Sequence, residues 1–155
     1  MKKLILVFAL FITVTGVFAQ NVKSVNGLYY SATGELYTGS YTSHYPDGSK
    51  KSEMNIANGK PDGVESTFYA SSGKIMETGS YSEGLKAGIW IRYNENGAKT
   101  GEASYLNGKK NGTWIVWDDN GKKRYEMNYI NGEKAGTWYN WDESGALINS
   151  VSYGL

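Results

Sequence analysis

The chain is 155 residues long, close to neutral at a formal net charge of +1, and free of cysteine. That balance gives no reason to expect nucleic acid or an anionic surface as a partner, and without cysteine neither a disulfide framework nor a zinc constellation is available. Thirteen tyrosines, five tryptophans and twenty glycines point instead to half-wet aromatic sheet broken by turns.

The first nineteen residues read as an export leader. Lys2 and Lys3 form a positive start, Leu4 to Val14 is almost wholly apolar, and Val17-Phe18-Ala19 suits a signal-peptidase cut before Gln20. The apolar run is shorter than the roughly 20 residues a membrane span needs, so no integral span is expected after cleavage; a retained anchor helix is the alternative. With no cysteine after the run, the lipoprotein route is closed. The expected address is exported, periplasmic or secreted. Three of the four phenylalanines leave with the leader.

Residues 20–34 lack a regular pattern and read as a lead-in strand that caps a repeat array. From residue 35 to 155 a 24-residue register takes over. Gly39-Ser40-Tyr41 and Tyr45-Pro46-Asp47-Gly48 mark a degenerate first copy. A second runs from Ile56-Ala57-Asn58-Gly59 through Gly63 to Gly73, with Phe68-Tyr69 inside it and one residue more than the later copies have. A bulge is the expected cost of that insertion. Beyond it the beat is strict. Tyr81, Tyr105, Tyr129 and Tyr153 keep it; so do Gly84, Gly108 and Gly132, Gly88, Gly112 and Gly136, Trp90, Trp114 and Trp138, and Gly97, Gly121 and Gly145. A period of this length means one small unit stacked on copies of itself.

The copy from Tyr105 to Tyr129 shows what that unit is. Asn107-Gly108 suits a type I′ turn. Thr113 to Trp117 is a short apolar strand, and Asp118-Asp119-Asn120-Gly121 is a second turn with Asx chemistry and a left-handed glycine. Lys122 to Ile130 returns, with Tyr125, Met127 and Tyr129 on one face and Arg124, Glu126 and Asn128 on the other. Each copy is a β-hairpin, and no capped helical stripe exists in the remaining chain. The expected fold is all-β: one elongated, twisted antiparallel meander of about five hairpins.

Candidate sites come from parity. Trp90, Trp114 and Trp138 should stack as a ladder along the shared core. Tyr93, Trp117 and Trp141 lie three residues further on, which in a regular strand is the opposite face. Either a bulge returns them to the core or they form an outer platform for sugar rings or a partner. The acidic turns around Asp118-Asp119, Asp142-Glu143 and Glu95 read as turn formers whose carboxylates titrate normally in solvent. His44 is the only histidine, so no metal site or cofactor is expected, and no nucleophilic or phosphate-binding motif is visible. Lysines beside the turns, among them Lys109-Lys110, Lys122-Lys123 and Lys134, read as solvated and edge-blunting.

The string Y-x-N-G-K-x-x-G-x-W-x-x-W/Y-x-x-x-G, spread over residues 35–155, resembles the MORN-repeat variant of bacteria, many members of which carry the label of YwqK-type antitoxins. The resemblance implies a β-hairpin solenoid used for protein contacts or assembly, with no shared catalytic residue. An exported immunity protein against an envelope toxin would reconcile the antitoxin label with the leader. The expectation is thus a non-catalytic, exported interaction or envelope-structural scaffold with a protein partner; the alternative is a carbohydrate-binding module stacking glycan on Tyr93, Trp117 and Trp141. The strand ending at Tyr153 should leave an unpaired edge, for which a homodimer is the simplest cover.

Overall fold

Two-residue turns set the geometry of this protein. At Asn26-Gly27, Asn58-Gly59, Glu83-Gly84, Asn107-Gly108 and Asn131-Gly132 both residues have positive φ, for instance 50° at Asn107 and 77° at Gly108. That is the type I′ conformation, whose twist matches the strands it joins. A computed structural model of the chain describes residues 21–154. The leader and its cleavage point lie outside the described residues.

Twelve strands run in chain order: β1 (Lys23–Val25), β2 (Leu28–Tyr30), β3 (Gly39–His44), β4 (Lys50–Ala57), β5 (Lys60–Phe68), β6 (Ile75–Ser82), β7 (Leu85–Tyr93), β8 (Lys99–Leu106), β9 (Lys109–Trp117), β10 (Lys123–Ile130), β11 (Glu133–Trp141) and β12 (Leu147–Tyr153). β3 to β12 form one ten-stranded sheet in strictly sequential order, a pure antiparallel meander of five hairpins. No helix occurs among the described residues. β1 and β2 form a separate small hairpin. The Tyr29 N–H donates to the Gly59 carbonyl at 2.8 Å and the Tyr29 ring meets Tyr41 edge-on at 5.0 Å, so this hairpin leans on the first units of the array.

At the other end of each hairpin the turn is longer. Asn94 to Ala98, Asp118 to Lys122 and Asp142 to Ala146 are each closed by an N–H to carbonyl bond of 2.9 Å. The inserted residue of the second copy sits in this turn. There Tyr69 donates across to Lys74 rather than to a residue four positions on. The ladder between β5 and β6 shifts at Thr67/Phe68, at the same place as every other hairpin, so the expected extra bulge does not form. A turn in solvent absorbs a residue with less loss than a strand hydrogen-bonded on both sides.

Two irregularities recur in every unit and shape it. Thr78 pairs with Ile91 and Ser80 with Ala87, leaving Gly88, Ile89 and Trp90 to bulge against Gly79. Gly88 takes a φ of 65° there, and Gly112 and Gly136 do the same in their units, which is why glycine keeps the beat at this position. The bulge swings the next tryptophan across the preceding strand. The indole Nε1 of Trp90 donates to the Ser80 carbonyl (3.1 Å), that of Trp114 to Ser104 (3.0 Å) and that of Trp138 to Asn128 (2.9 Å). Beside the bulge, the carbonyl of Lys86 accepts the Gly108 N–H of the next turn at 2.9 Å, and Lys110 accepts Gly132 at 2.8 Å. Each hairpin is thereby tied to its predecessor at the turn as well as along the strand.

Only a few residues are buried, among them Ile56, Phe68, Trp90, Tyr129 and Ala135. The reason is architectural: the sheet is a single layer, and within the described residues only the small β1–β2 hairpin at its first units lies against it. Lysine stems cover the rings instead. A long apolar stem laid over a ring keeps its ammonium wet while shielding carbon from water.

Candidate functional site

One face carries a continuous aromatic ladder. Tyr81, Trp90, Tyr105, Trp114, Tyr129, Trp138 and Tyr153 alternate along it, with ring centroids 5.0–5.4 Å apart at every step except Trp90 to Tyr105, which is 6.4 Å. Contacts of this tilted or edge-on kind contribute about 0.5–1.5 kcal/mol each beyond the area they bury. Lys86, Lys110 and Lys134 lie over Trp90, Trp114 and Trp138 at 3.6, 4.1 and 4.5 Å, and each also reaches the next tyrosine. Lys110 and Lys134, which the sequence suggests are solvated and edge-blunting, are therefore cation–π caps.

The opposite face carries the second aromatic series. Trp90 pairs with Ala103 and Arg92 with Gly101 without interruption, and the ladder slips only after Arg92, where Thr100 is extra in the partner strand. Parity is thus kept within β7, and Tyr93, Trp117 and Trp141 sit on alternate strands of the face away from the ladder, spaced by about 10 Å, two strand separations. All three are half-buried. Lys99 lies over Trp117 at 4.6 Å and Lys123 over Trp141 at 5.4 Å, with Lys50 over Phe68 in the same role. Each lysine is also paired to a glutamate three residues on, Glu53, Glu102 and Glu126, at 2.7–2.8 Å. Tyr93 has Ile75 in the register place of that lysine.

The turn carboxylates behave as turn formers, with one correction to their expected titration. The Lys122 N–H, and then that of Asn120, donate to Asp118 and hold its carboxyl below the ordinary range. Ser144 Oγ and the Ala146 N–H do the same for Asp142. Exposure alone does not fix a carboxyl's titration where fixed donors favour its charged form. Among the described residues no group of three or more metal-ligating side chains gathers.

Between its rings the ladder face varies from unit to unit, and its small and charged side chains gather across β5 to β8. Where later units carry a tryptophan two residues after the bulge glycine, the second unit has Glu65. Burial pushes its carboxyl up, although the Tyr81 hydroxyl donates to it. Burial also raises Tyr81 itself. Further along, one variable place holds Glu77, Gly101, Tyr125 and Asn149 in successive units, and another Gly79, Ala103, Met127 and Val151. With large side chains missing at Gly101 and Ala103, a hollow of about 360 Å³ opens between Trp90 and Trp114, rimmed by Glu77, Lys86 and Arg92. Glu77 lies 3.5 Å from Arg92 and 3.9 Å from Lys86. Reasoning from the sequence misses this cluster because it tracks what repeats. The available signal is the opposite one, small and charged residues at variable positions that fall close together.

Residues 110–131 match the MORN repeat variant. The match covers most of β9, the Asp118 turn and β10, so what resembles the MORN repeat variant is one hairpin. The other hairpins share its strand register, bulge glycine and turn glycine. The MORN repeat goes with binding or scaffold roles and is generally non-catalytic. No curated protein matches the chain.

Proposed function

We propose that the chain is an exported, non-catalytic scaffold that holds a protein partner on its ladder face. The observation that supports this is the single-layer sheet, which presents a broad, lysine-capped aromatic face with no second layer over Trp90, Trp114 and Trp138 among the described residues. Tyrosine and tryptophan are the side chains that protein-contact surfaces favour. Export rests on the leader at residues 1–19. Neutralising an envelope or secreted toxin is one form the role could take, which the antitoxin-like resemblance suggests. Glycan stacking on Tyr93, Trp117 and Trp141 is the weaker reading, because Lys99 and Lys123 already lie over two of those rings.

The test is cross-linked capture from envelope extract, using the protein beside a Trp117→Ala/Trp141→Ala double variant. Recovery of the same protein by both baits supports the scaffold. Polysaccharide retained by wild type alone, with the variant still folded, would replace it with the glycan reading. Assembly is part of the same proposal. β12 is an edge of the sheet and exposes Leu147, Ile148 and Val151, an edge that pairing with a second copy would cover. A strictly monomeric mass by light scattering across the micromolar range would dispose of it.

A further inference from the structure

In a repeat array the positions that keep the beat hold the fold, so variable positions that lie together in space are free to do something else. Four of them meet on the ladder face: Glu77, Arg92, Gly101 and Ala103. The glycine is the informative one. A Cβ added at Gly79 would come within 2.1 Å of Trp90, so that glycine is needed for packing. A Cβ added at Gly101 meets nothing closer than Arg92 Cβ at 3.5 Å, and its φ lies outside the left-handed region. Backbone and neighbours would accept a side chain there. Its lack serves the hollow rather than the fold.

We infer that the hollow between Trp90 and Trp114 is a socket for one apolar side chain of a protein partner, with an adjacent carboxylate of that partner held by Arg92. This rests on the protein-scaffold reading and names the chemistry of the partner's contact. Three features favour that occupant. The hollow lies on the open face of a one-layer sheet, so it cannot enclose a small molecule as a dedicated pocket does, but it can accept a projecting side chain. Its walls are the rings of Trp90, Tyr105 and Trp114. Lys86, Arg92 and Glu77 stand at its rim, and the other carboxylate along it, Glu102, is already paired with Lys99 at 2.7 Å. Arg92 is largely exposed, its side chain 65% accessible, and Glu77 is its one ion-pair partner among the described residues. A guanidinium has five N–H donors, which leaves enough of them for a second carboxylate.

The experiment uses the purified protein and a short glycine-flanked peptide carrying phenylalanine followed by aspartate, with the Gly101 amide and the Trp90 and Trp114 indole N–H signals followed by NMR. The expected result is a saturable shift of these signals. Replacing the phenylalanine by alanine, or the aspartate by lysine, should weaken binding at least tenfold. Gly101→Val fills the hollow and Arg92→Gln removes the cation; both should melt like wild type and bind at least tenfold more weakly. No shift at millimolar peptide, or an unchanged shift in Gly101→Val, would overturn the socket. A partner captured equally by wild type and both variants would also overturn it, while leaving the scaffold reading in place. Peptide binding at the hollow with no partner retained by cross-linking would do the reverse.

Discussion

Gly79→Ala is the substitution on which the packing argument depends most directly. Trp90 is the most buried ring of the ladder, 3% accessible, because its indole lies against the bare backbone of Gly79. An added Cβ would fall 2.1 Å from Trp90 Cδ2, backed by a rigid bicyclic ring and not by the end of a flexible chain. The ring must lift. Lifting strains or breaks the Nε1 bond to the Ser80 carbonyl, a contact of about 1 kcal/mol. It also disturbs the Lys86 cap, about 0.5–1 kcal/mol at a partly exposed site, and the edge-on contact with Tyr81. Against this stands the general gain of alanine over glycine in a strand, about 0.5–1 kcal/mol. The expected net loss is about 2 kcal/mol, within the range for overpacked cores, or a fall in Tm of about 5–8 °C at this chain size. Gly101→Ala, two strands away and equally extended, should be neutral or slightly stabilising. Urea and thermal melts followed by tryptophan fluorescence and circular dichroism measure both. If Gly79→Ala stays within about 0.5 kcal/mol of wild type, or Gly101→Ala loses as much, the account of close ring-on-backbone packing is wrong.

Three other predictions concern turns and titration. Glu83 is the one type I′ turn residue before a glycine that is not asparagine, and it sits at a φ of 51°; Glu83→Asn should stabilise by about 1 kcal/mol, read as a rise in urea midpoint with an unchanged slope. Asp142→Ala should lower the Tm at neutral pH. The native carboxyl is depressed below 3.8 by its bonds from Ser144 and Ala146, so its contribution is present above that value and lost as pH falls through the folded pKa; the gap between variant and wild type should therefore close in acid, and a gap that persists there would refute the linkage. Glu65 has the opposite sign. Burial raises its carboxyl above 4.5, so ionisation weakens the fold as pH rises through the folded value, and Glu65→Gln should raise the Tm at neutral pH but not below 4.5.

The period, the turns and the strands were legible because each depends on neighbours in sequence. Asn107-Gly108 encodes a type I′ turn whatever lies around it, and the Asp118 carboxylate bonds donors only two and four residues away. The alternation that puts Tyr125, Met127 and Tyr129 on one face is likewise a property of the strand alone. Counting along one strand suggests the opposition of Trp90 and Tyr93, but a bulge could have reversed it, and only the unbroken ladder from Trp90 to Arg92 decides it. Pairing between strands is a different matter. The inserted residue of the second copy could go into ladder or turn, and only the matched slip at Thr67/Phe68 places it in the turn. The capping of Trp114 by Lys110 depends on a bulge that swings the indole over the neighbouring strand. The hollow at Gly101 exists because residues about 10 to 25 positions apart, each ordinary in its own strand, fall side by side on one face. The sequence by itself determined the repeating unit, whose turns and alternation are short-range. The tertiary structure decided which rings are covered and where the face is left open, since both depend on register between strands that no single strand contains.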